Sequence, residues 1–286
     1  MTRPPLRAVR RAVQIGVALV MAAVPLANAA GVNWISGNFL ALDILGLPLG
    51  DPLAAAQVAA SARGIAWPAA LGAGLAMGLA LVLGPVFCAY ACPYGLFSEW
   101  AHGLARRLGR VRPGRFPQNG LAGRAVLAGA GLAVVGLWGL PPLVNLVSMP
   151  AAYSRLWQYA LAGALWLPLL AVPAVLCVEV LAGARLWCRF VCPQSVALAL
   201  AHRLAPWGLG LAYAGKRCTC PPGARRCLAA CSLGLDPRRK APPAACTNCG
   251  DCLDACRQAG RALRFRLGRP ATGLSATDST SPAGRL

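Results

Sequence analysis

The sequence predicts an all-α membrane protein in which four transmembrane helices form two repeats, followed by a small cysteine-rich module at the C-terminus. The first observation is composition: 57% of the 286 residues are hydrophobic and 13% are charged, about half the charged share of an ordinary soluble chain. The second is a cysteine motif that recurs one hundred positions along the chain. The third is a dense run of cysteines after residue 216.

Four apolar segments are long enough to cross a bilayer, namely residues 12–32, 65–87, 125–147 and 156–181. Of the 28 Lys and Arg residues, only Arg63 and Arg155 fall in the first or third connection; the other 26 lie before, between or after these connections. The positive-inside rule therefore places both termini and the middle loop in the cytoplasm. We expect a multi-pass protein of a bacterial-type inner membrane. Its net charge of +20 then reflects topology and contact with anionic lipid, without nucleic acid.

The N-terminus permits two interpretations. We divide it into a basic cytoplasmic segment (1–11) and a retained span, because an apolar run of about 20 residues is long enough to cross the membrane. The alternative is a signal peptide cleaved near Ala-Asn-Ala-Ala at 27–30. Cleavage would leave three spans and an external N-terminus, an arrangement that also satisfies the charge rule. If the first span is retained, residues 12–215 form the membrane domain.

The strongest chemical signal lies in the segment 216–267, which holds eight cysteines. Its last four have the C-x-x-C-x-x-C-x-x-x-C spacing by which bacterial ferredoxins bind iron–sulfur clusters. On the cytoplasmic side thiols stay reduced, so such density indicates metal binding instead of disulfides. Because the fourth cysteine of such a run ligates the other cluster of a pair, we predict two [4Fe-4S] clusters. The ligands of the first are Cys246, Cys249, Cys252 and Cys231; those of the second are Cys218, Cys220, Cys227 and Cys256.

Zinc is the alternative for this module, since four-cysteine zinc sites share the C-x-x-C element. Two features depart from the ferredoxin pattern. Ser232 and Arg257 stand where proline usually follows each run, and Cys218 and Cys220 are one residue too close. After the module, the tail 268–286 is rich in Arg, Pro, Ser, Thr and Gly, which predicts disorder.

The duplicated motif is the second chemical signal. It reads Cys88-x-x-x-Cys92-Pro93 in the first repeat and Cys188-x-x-x-Cys192-Pro193 in the second. If each segment is helical, the spacing i, i+4 places both thiols on one face. The proline then opens a new helix with the second cysteine as its cap, and the helix N-terminus favours thiolate. Four thiolates are enough for a third cluster or a metal at the inner membrane face; reduced or redox-active dithiols are the alternative.

Four titratable residues are candidates for proton transfer. His102 and His202 each follow the second cysteine of their motif by ten residues. Glu99 lies on the segment after the first motif, and Glu179 lies in the apolar end of the fourth span, where an ionisable residue is a functional candidate by default. An ion pair between Glu179 and a neighbouring arginine, Arg185 or Arg189, is the structural alternative.

Other functional sequence patterns are absent, or they say little about function. The chain has no C-x-x-C-H for covalent haem, no Gly-x-Gly-x-x-Gly and no P-loop. Two histidines near one face cannot hold a transmembrane pair of haems. Cys177, alone in the fourth span, is interpreted as a small buried hydrophobe. Residues 195–213 are interpreted as an interfacial helix broken at Pro206.

The paired C-x-x-x-C-P motifs together with the ferredoxin-like run resemble the NapH family of membrane iron–sulfur proteins, with kin in MauN and the membrane part of NosR. The resemblance covers about residues 12–260. It implies that quinol from the membrane pool is oxidised and that electrons pass to a redox partner protein, such as a ferredoxin-like or cytochrome subunit. The altered run from Cys218 to Cys231 departs from the family pattern. Two other functions stay open: a membrane maturation factor that reduces or metallates a partner enzyme, and a redox sensor.

Overall fold

The computed structural model describes residues 6–112, 116–117, 121–161, 166–205, 207–221, 225–238, 245–257 and 259–268. The predicted disordered tail lies, apart from its first residue, outside these ranges. The helices are α1 (Leu6–Ala29), α2 (Pro52–Ala62), α3 (Trp67–Leu83), α4 (Phe87–Tyr90), α5 (Pro93–Arg107), α6 (Leu121–Trp138), α7 (Met149–Leu161), α8 (Trp166–Ala182), α9 (Gln194–Leu204), α10 (Arg226–Ala230) and α11 (Asp251–Arg257). The strands are β1 (Ile35–Asn38), β2 (Ala41–Ile44), β3 (Leu47–Gly50), β4 (Leu209–Tyr213) and β5 (Leu263–Leu267).

Apolar helices lie where the sequence predicts spans. By length and composition, two helices in the described part of the chain can cross a membrane, α1 and α6. Two shorter apolar helices are α3 and the part of α8 from Leu170 to Ala182. The fourth predicted segment begins too early, because residues 156–161 belong to α7. These findings indicate membrane association.

The fold is mostly helical, as predicted, but β1, β2 and β3 form an antiparallel meander after α1 that the prediction did not include. Its second turn places Leu45 (φ 54°) and Gly46 (φ 84°) between the paired residues Ile44 and Leu47. Two positive φ values are the mark of a tight hairpin whose twist matches that of its strands. The meander packs on α3 so closely that a Cβ at Gly72 would lie 2.8 Å from the backbone nitrogen of Gly50.

The segments that connect the apolar helices turn back into the fold. Leu53, at the start of α2, packs against Ala128 in the middle of α6 and against Val144. The buried side chain of Gln57 ties the two connections together: its Nε2 donates to Asn145 Oδ1 at 2.8 Å. Its Oε1 accepts from the Val144 backbone at 3.0 Å. Each connection contains a short helix, α2 in the first and α7 in the other. The first residues of both helices point toward the interior.

The C-terminal module is closed by β4 and β5, which pair in antiparallel fashion around the cysteine-rich segment. The sequence predicted helix over 195–213, yet α9 ends at Leu204 and residues 209–213 are a strand. Strand β4 forms by pairing with β5. Because β5 lies about fifty residues later in the chain, a local sequence pattern does not record this pairing. Asn248 docks the module on the membrane part: its Nδ2 donates to Leu83 O at 3.0 Å and to Leu209 O at 2.8 Å.

Candidate metal centres

Both C-x-x-x-C-P motifs meet in one pocket. Its wall includes all four of their cysteines, Cys88, Cys92, Cys188 and Cys192. The four residues come from two segments that are one hundred positions apart, so only the packing of the two repeats brings them together. This pocket is called the paired-motif centre below.

At their ends the motifs are wound more loosely than the predicted α-helix. The Cys92 backbone N–H donates to Phe87 O at 3.0 Å and the Cys192 N–H donates to Trp187 O at 2.8 Å, so both motifs end in a π-type turn. Such turns occur often at functional sites. The predicted cap is confirmed in the first repeat, where Cys92 Sγ accepts from Gly95 N at 3.4 Å and Pro93 opens α5. In the second repeat, Pro193 occupies the cap position and α9 begins one residue later.

Helix N-termini converge on the paired-motif centre. Helices α5 and α9 follow the two motifs directly, and Tyr94 and Gln194 in their first turns line the pocket. Pro150, in the first turn of α7, lines it as well. Helix α2 begins nearby, since the charge of its cap residue Asp51 acts on the Cys192 thiol. The N-terminal ends of helices carry partial positive charge, so this arrangement favours a negatively charged group at the centre.

Burial dominates the chemistry of these thiols. It raises the pKa of all four cysteines, that of Cys192 to about 12. The sequence argument that the helix N-terminus yields thiolate is therefore outweighed by desolvation. A bound metal reverses this, because coordination deprotonates a thiol outright. Four cysteines in one pocket are thus a donor set that could hold a metal centre.

Two buried arginines flank the paired-motif centre: Arg124, which sequence reasoning missed, and Arg185, which it considered only as an ion-pair partner of Glu179. Arg124 is 1% exposed and its Nη1 donates to Ser195 Oγ at 2.6 Å. Arg185 is 5% exposed and its Nη2 lies 3.6 Å from Cys188 Sγ. Cations beside four thiolates offset their charge. For Arg124 the available signal was an arginine bordering an apolar segment, which we interpreted only as topology.

A second pocket, the inner module centre, lies in the C-terminal module. Four cysteines line it, and they are the four that the sequence assigns to the first cluster: Cys231, Cys246, Cys249 and Cys252. The Cys231 Sγ accepts a hydrogen bond from Leu235 N at 3.4 Å. The cross-over assignment, in which the fourth cysteine of one run joins the other three, is therefore compatible with the geometry.

The cysteines of the predicted second cluster lie at the outer side of the module. Cys227 and Cys256 are buried in one core with Leu211 and Leu263, and Cys218 packs against this core. A hydrogen bond from the Cys220 backbone lowers the pKa of Cys218. All four predicted ligands are thus in one part of the module, here called the outer module centre.

The paired-motif centre and the inner module centre are neighbours. Leu233 and Thr247 belong to the walls of both pockets. Arg185 joins them too, because its Nη1 donates to Ser232 Oγ at 3.0 Å, beside Cys231, while its Nη2 faces Cys188.

The spacing of the ligands bears on the type of metal. Among the residues that the structure describes, no three His, Cys, Asp or Glu side chains lie close enough to hold a metal ion. A tetrahedral zinc ion with Zn–S bonds of about 2.3 Å requires sulfurs only about 3.8 Å apart. A four-iron cluster is larger and holds its ligands farther apart. The two kinds of centre therefore differ in the spacing of sulfurs that they require.

The candidate proton acceptors fall in different surroundings. Glu99 is buried among three arginines: it pairs with Arg10, with Arg11 at 2.9 Å and with Arg185 at 3.4 Å. Burial alone would raise its pKa, but Arg185 and the other two arginines hold it below the usual value. This geometry favours a structural ion pair. Glu179 instead accepts hydrogen bonds from Ser98 Oγ at 2.5 Å and from Trp187 N at 3.0 Å.

The two histidines differ as well. His102 is buried, and neither ring nitrogen has a hydrogen-bond partner among the described residues. Burial, followed by the nearby charges of Arg106 and Arg185, lowers its pKa to about 4. His202 lies against Gly84 and Gly208, and burial lowers its pKa too. Both rings are therefore neutral in the folded protein at physiological pH.

A large apolar cavity adjoins the paired-motif centre, and sequence reasoning did not foresee it. It has a volume of about 710 Å³ and lies among α1, α3 and the β-meander. Phe87, Pro150, Gln194 and Leu198 belong to the walls of both the cavity and the paired-motif centre. Its lining includes one acidic residue, Asp51, whose pKa burial raises to about 6.

Comparison with known proteins supports the class of protein that this geometry defines. Residues 65–111 and 164–211 each match the family of 4Fe-4S binding domains. Each match contains one C-x-x-x-C-P motif and its flanking helices, so the two matches coincide with the two repeats. No curated protein and no solved structure matches the chain. The matches support an iron–sulfur protein of the ferredoxin type, and the 4Fe-4S domains indicate electron transfer.

Proposed function

We propose that this chain is a membrane-bound iron–sulfur protein that oxidises quinol and delivers the electrons to a redox partner, as a quinol dehydrogenase component of the NapH type. One observation carries the proposal: a large apolar cavity, the paired-motif centre and the inner module centre form a row in which each shares wall residues with the next. A lipophilic reductant at one end and cysteine centres along the row are the parts that an electron relay needs.

The row continues into the module. Cys252 lines the inner module centre and also packs in the same core as Cys227 and Cys256 of the outer module centre. In this proposal each centre holds one [4Fe-4S] cluster, with four cysteine ligands: those of the paired motifs, those assigned to the first cluster and those assigned to the second. A bound cluster supplies reversible one-electron transfer. The chain's own residues bury the centres and set their electrostatic surroundings.

Charge and burial support a redox role for the paired-motif centre. Arg124 and Arg185 stabilise negative charge beside it, as do the converging helix N-termini. Apolar residues such as Phe87 and Leu198 limit water at the wall toward the cavity. Hydrogen bonds, charge and solvent exposure are the means by which a protein adjusts the potential of a cluster.

The proposed setting is an inner membrane crossed four times, with both termini in the cytoplasm. Apolar side chains on the outside of α1, α6 and α8 support contact with lipid, for example Leu19 (65% exposed), Leu137 (77%) and Leu181 (62%). Arg10, near the start of α1, binds Asp251 of α11 at 3.0 Å. The start of α1 and the C-terminal module therefore lie on one side of the protein, as a cytoplasmic location of both termini requires.

The test is anaerobic purification in detergent, with iron and acid-labile sulfide counted and EPR spectra recorded before and after addition of a quinol. We expect about twelve irons per chain for three clusters and a reduced-cluster signal on quinol addition. Clusters that dithionite reduces but quinol leaves oxidised would favour the maturation factor. Zinc in place of iron would refute electron transfer.

A further inference from the structure

The cavity beside the paired-motif centre has an open side and a closed end. Its open side lies between α1 and α3, where the lining residues Val13, Gly16 and Val20 on one helix and Leu79 and Leu83 on the other are also exposed at the surface. Both helices are apolar. The opening is thus bordered by hydrocarbon side chains on two apolar helices.

The closed end is polar. Asp51, Ser148 and Gln194 line the cavity there. The Asp51 carboxylate caps α2 through Oδ1, which accepts from Leu53 N at 2.9 Å. Its other oxygen, Oδ2, is buried and makes no hydrogen bond of good geometry with the described residues, although the Gln194 amide faces the carboxyl group. The Gln194 Nε2 is likewise buried without such a bond.

The polar end touches the metal centre. Gln194 Oε1 lies 3.6 Å from Cys192 Sγ, so one side chain separates the cavity from a cysteine of the paired motifs. Even where the Gln194 amide donates to the Asp51 carboxylate, Oδ2 keeps a second lone pair and Nε2 keeps a second hydrogen, so the pair can still bind a ligand that carries both a donor and an acceptor. A lipid acyl chain offers neither.

We infer that this cavity binds the head group of a quinone, which enters from the lipid between α1 and α3, and that Asp51 and Gln194 contact its oxygen atoms. A quinol hydroxyl donates to Asp51 Oδ2, and the Gln194 amide donates to a quinone oxygen. The apolar walls hold the start of the isoprenoid tail. The inference rests on the proposed function for the identity of the substrate, and it assigns the binding contacts to residues other than Glu99, Glu179, His102 and His202.

Two variants test the site, and each substitution is one that the folded protein should tolerate. Gly16→Phe places a ring in the cavity mouth, and a Cβ at Gly16 meets no atom within 4 Å. Asp51→Asn removes the carboxylate but keeps an efficient helix cap. The matched control is Gly78→Phe, because Gly78 also has no atom within 4 Å of its Cβ position and lies outside the cavity lining.

The probe is a photoactivatable azidoquinone with a short isoprenoid tail, added to the purified cluster-containing protein in detergent with defined phospholipid. We expect labelled peptides from α1, α3 or α9 in the parent protein and in Gly78→Phe, and little labelling in Gly16→Phe. Competition by quinol should be weakened about tenfold or more in Asp51→Asn, as for loss of a hydrogen bond to a charged group. Thermal unfolding of each variant verifies folding.

The outcomes separate the site from the function. If quinol reduces the clusters of the parent protein and of Gly16→Phe alike, or if labels lie elsewhere, this site is wrong while quinol oxidation stands. If the cavity contains only phospholipid and excess quinone leaves labelling unchanged, the site is again wrong. If quinol neither reduces the parent protein nor competes for the label, the proposed function itself fails.

Discussion

The Nη2 atom of Arg185 lies 3.6 Å from the sulfur of Cys188. The same guanidinium contacts Ser98, Glu99 and, in the C-terminal module, Ser232. One buried cation therefore touches the paired-motif centre and the strip of protein that separates it from the inner module centre. Its removal should change both stability and redox behaviour.

We predict that Arg185→Gln destabilises the protein by about 3–5 kcal/mol, because Glu99 and Glu179 lose a buried cationic neighbour. Loss of positive charge should also lower the reduction potential of the adjacent cluster. Thermal unfolding and an EPR-monitored redox titration measure the two effects.

The control is Arg107→Gln on α5, the helix that also carries Glu99, since Arg107 is exposed. This change should leave both the unfolding temperature and the potential unaltered. An unchanged potential in Arg185→Gln, with the clusters retained, would contradict the assignment of a cluster to the paired motifs.

Cys88→Ser should remove about four irons from a total of about twelve, because Cys88 is one of four ligands of a proposed cluster. The measurement is iron and sulfide per chain after anaerobic purification. Cys177→Ser is the matched control, since Cys177, which the sequence interpretation placed in the interior, is exposed on the apolar helix α8. Equal iron contents in the two variants would refute a cluster at the paired motifs.

The cross-over assignment in the C-terminal module, in which the fourth cysteine of one run binds the cluster of the other, can be tested by substitution. Cys231→Ala and Cys252→Ala should eliminate the same EPR signal, because both residues line the inner module centre. Cys256→Ala should eliminate the other module signal together with Cys227→Ala, since these two residues share the outer core. Loss of one and the same signal in Cys256→Ala and Cys252→Ala, with the other retained, would show that each run binds its own cluster instead.

His102 predicts a pH dependence of stability. Its folded-state pKa, about 4, lies below the ordinary value of 6.5, because burial and then Arg106 and Arg185 disfavour the charged ring. The unfolded chain therefore binds more protons between these values, and stability falls as the pH drops from 6.5 toward 4. The loss should reach about 1.4 kcal/mol by pH 5.5. Thermal unfolding of the parent protein and His102→Leu from pH 7.5 to 5.5 measures it; parallel profiles would contradict the prediction.

Several elements were predictable from the sequence because their causes are local. Apolar runs and the distribution of arginines predicted the positions of the long helices, since a helix needs only its own residues to satisfy its backbone. Pro93 and Cys92 predicted the start and cap of α5 for the same reason. The spacing of Cys246, Cys249 and Cys252 indicated a shared centre, because three ligands within seven positions cannot lie far apart.

Other elements depend on partners distant in the chain. The β-meander and the pair β4–β5 were missed because a strand is defined by its neighbour, and β5 follows β4 by about fifty residues. The position of Asp51 was missed too: in the sequence it is one of two acids in the first connection, whereas in the structure it lines a cavity together with Gln194. Glu99 appeared as a candidate acid, and only the fold surrounds it with Arg10, Arg11 and Arg185.

The sequence by itself determined that this protein has apolar helices, two repeats and three sets of cysteines, because periodicity and spacing record interactions between near neighbours. The sequence also predicted that the two motifs share one site; the tertiary structure alone decided that their pocket adjoins a cavity and that Arg185 lies between two centres. Those relations arise from burial of surfaces that are distant along the chain. Desolvation of the buried groups also shifts the pKa values of the motif thiols and of His102. Residue types alone do not reveal these shifts.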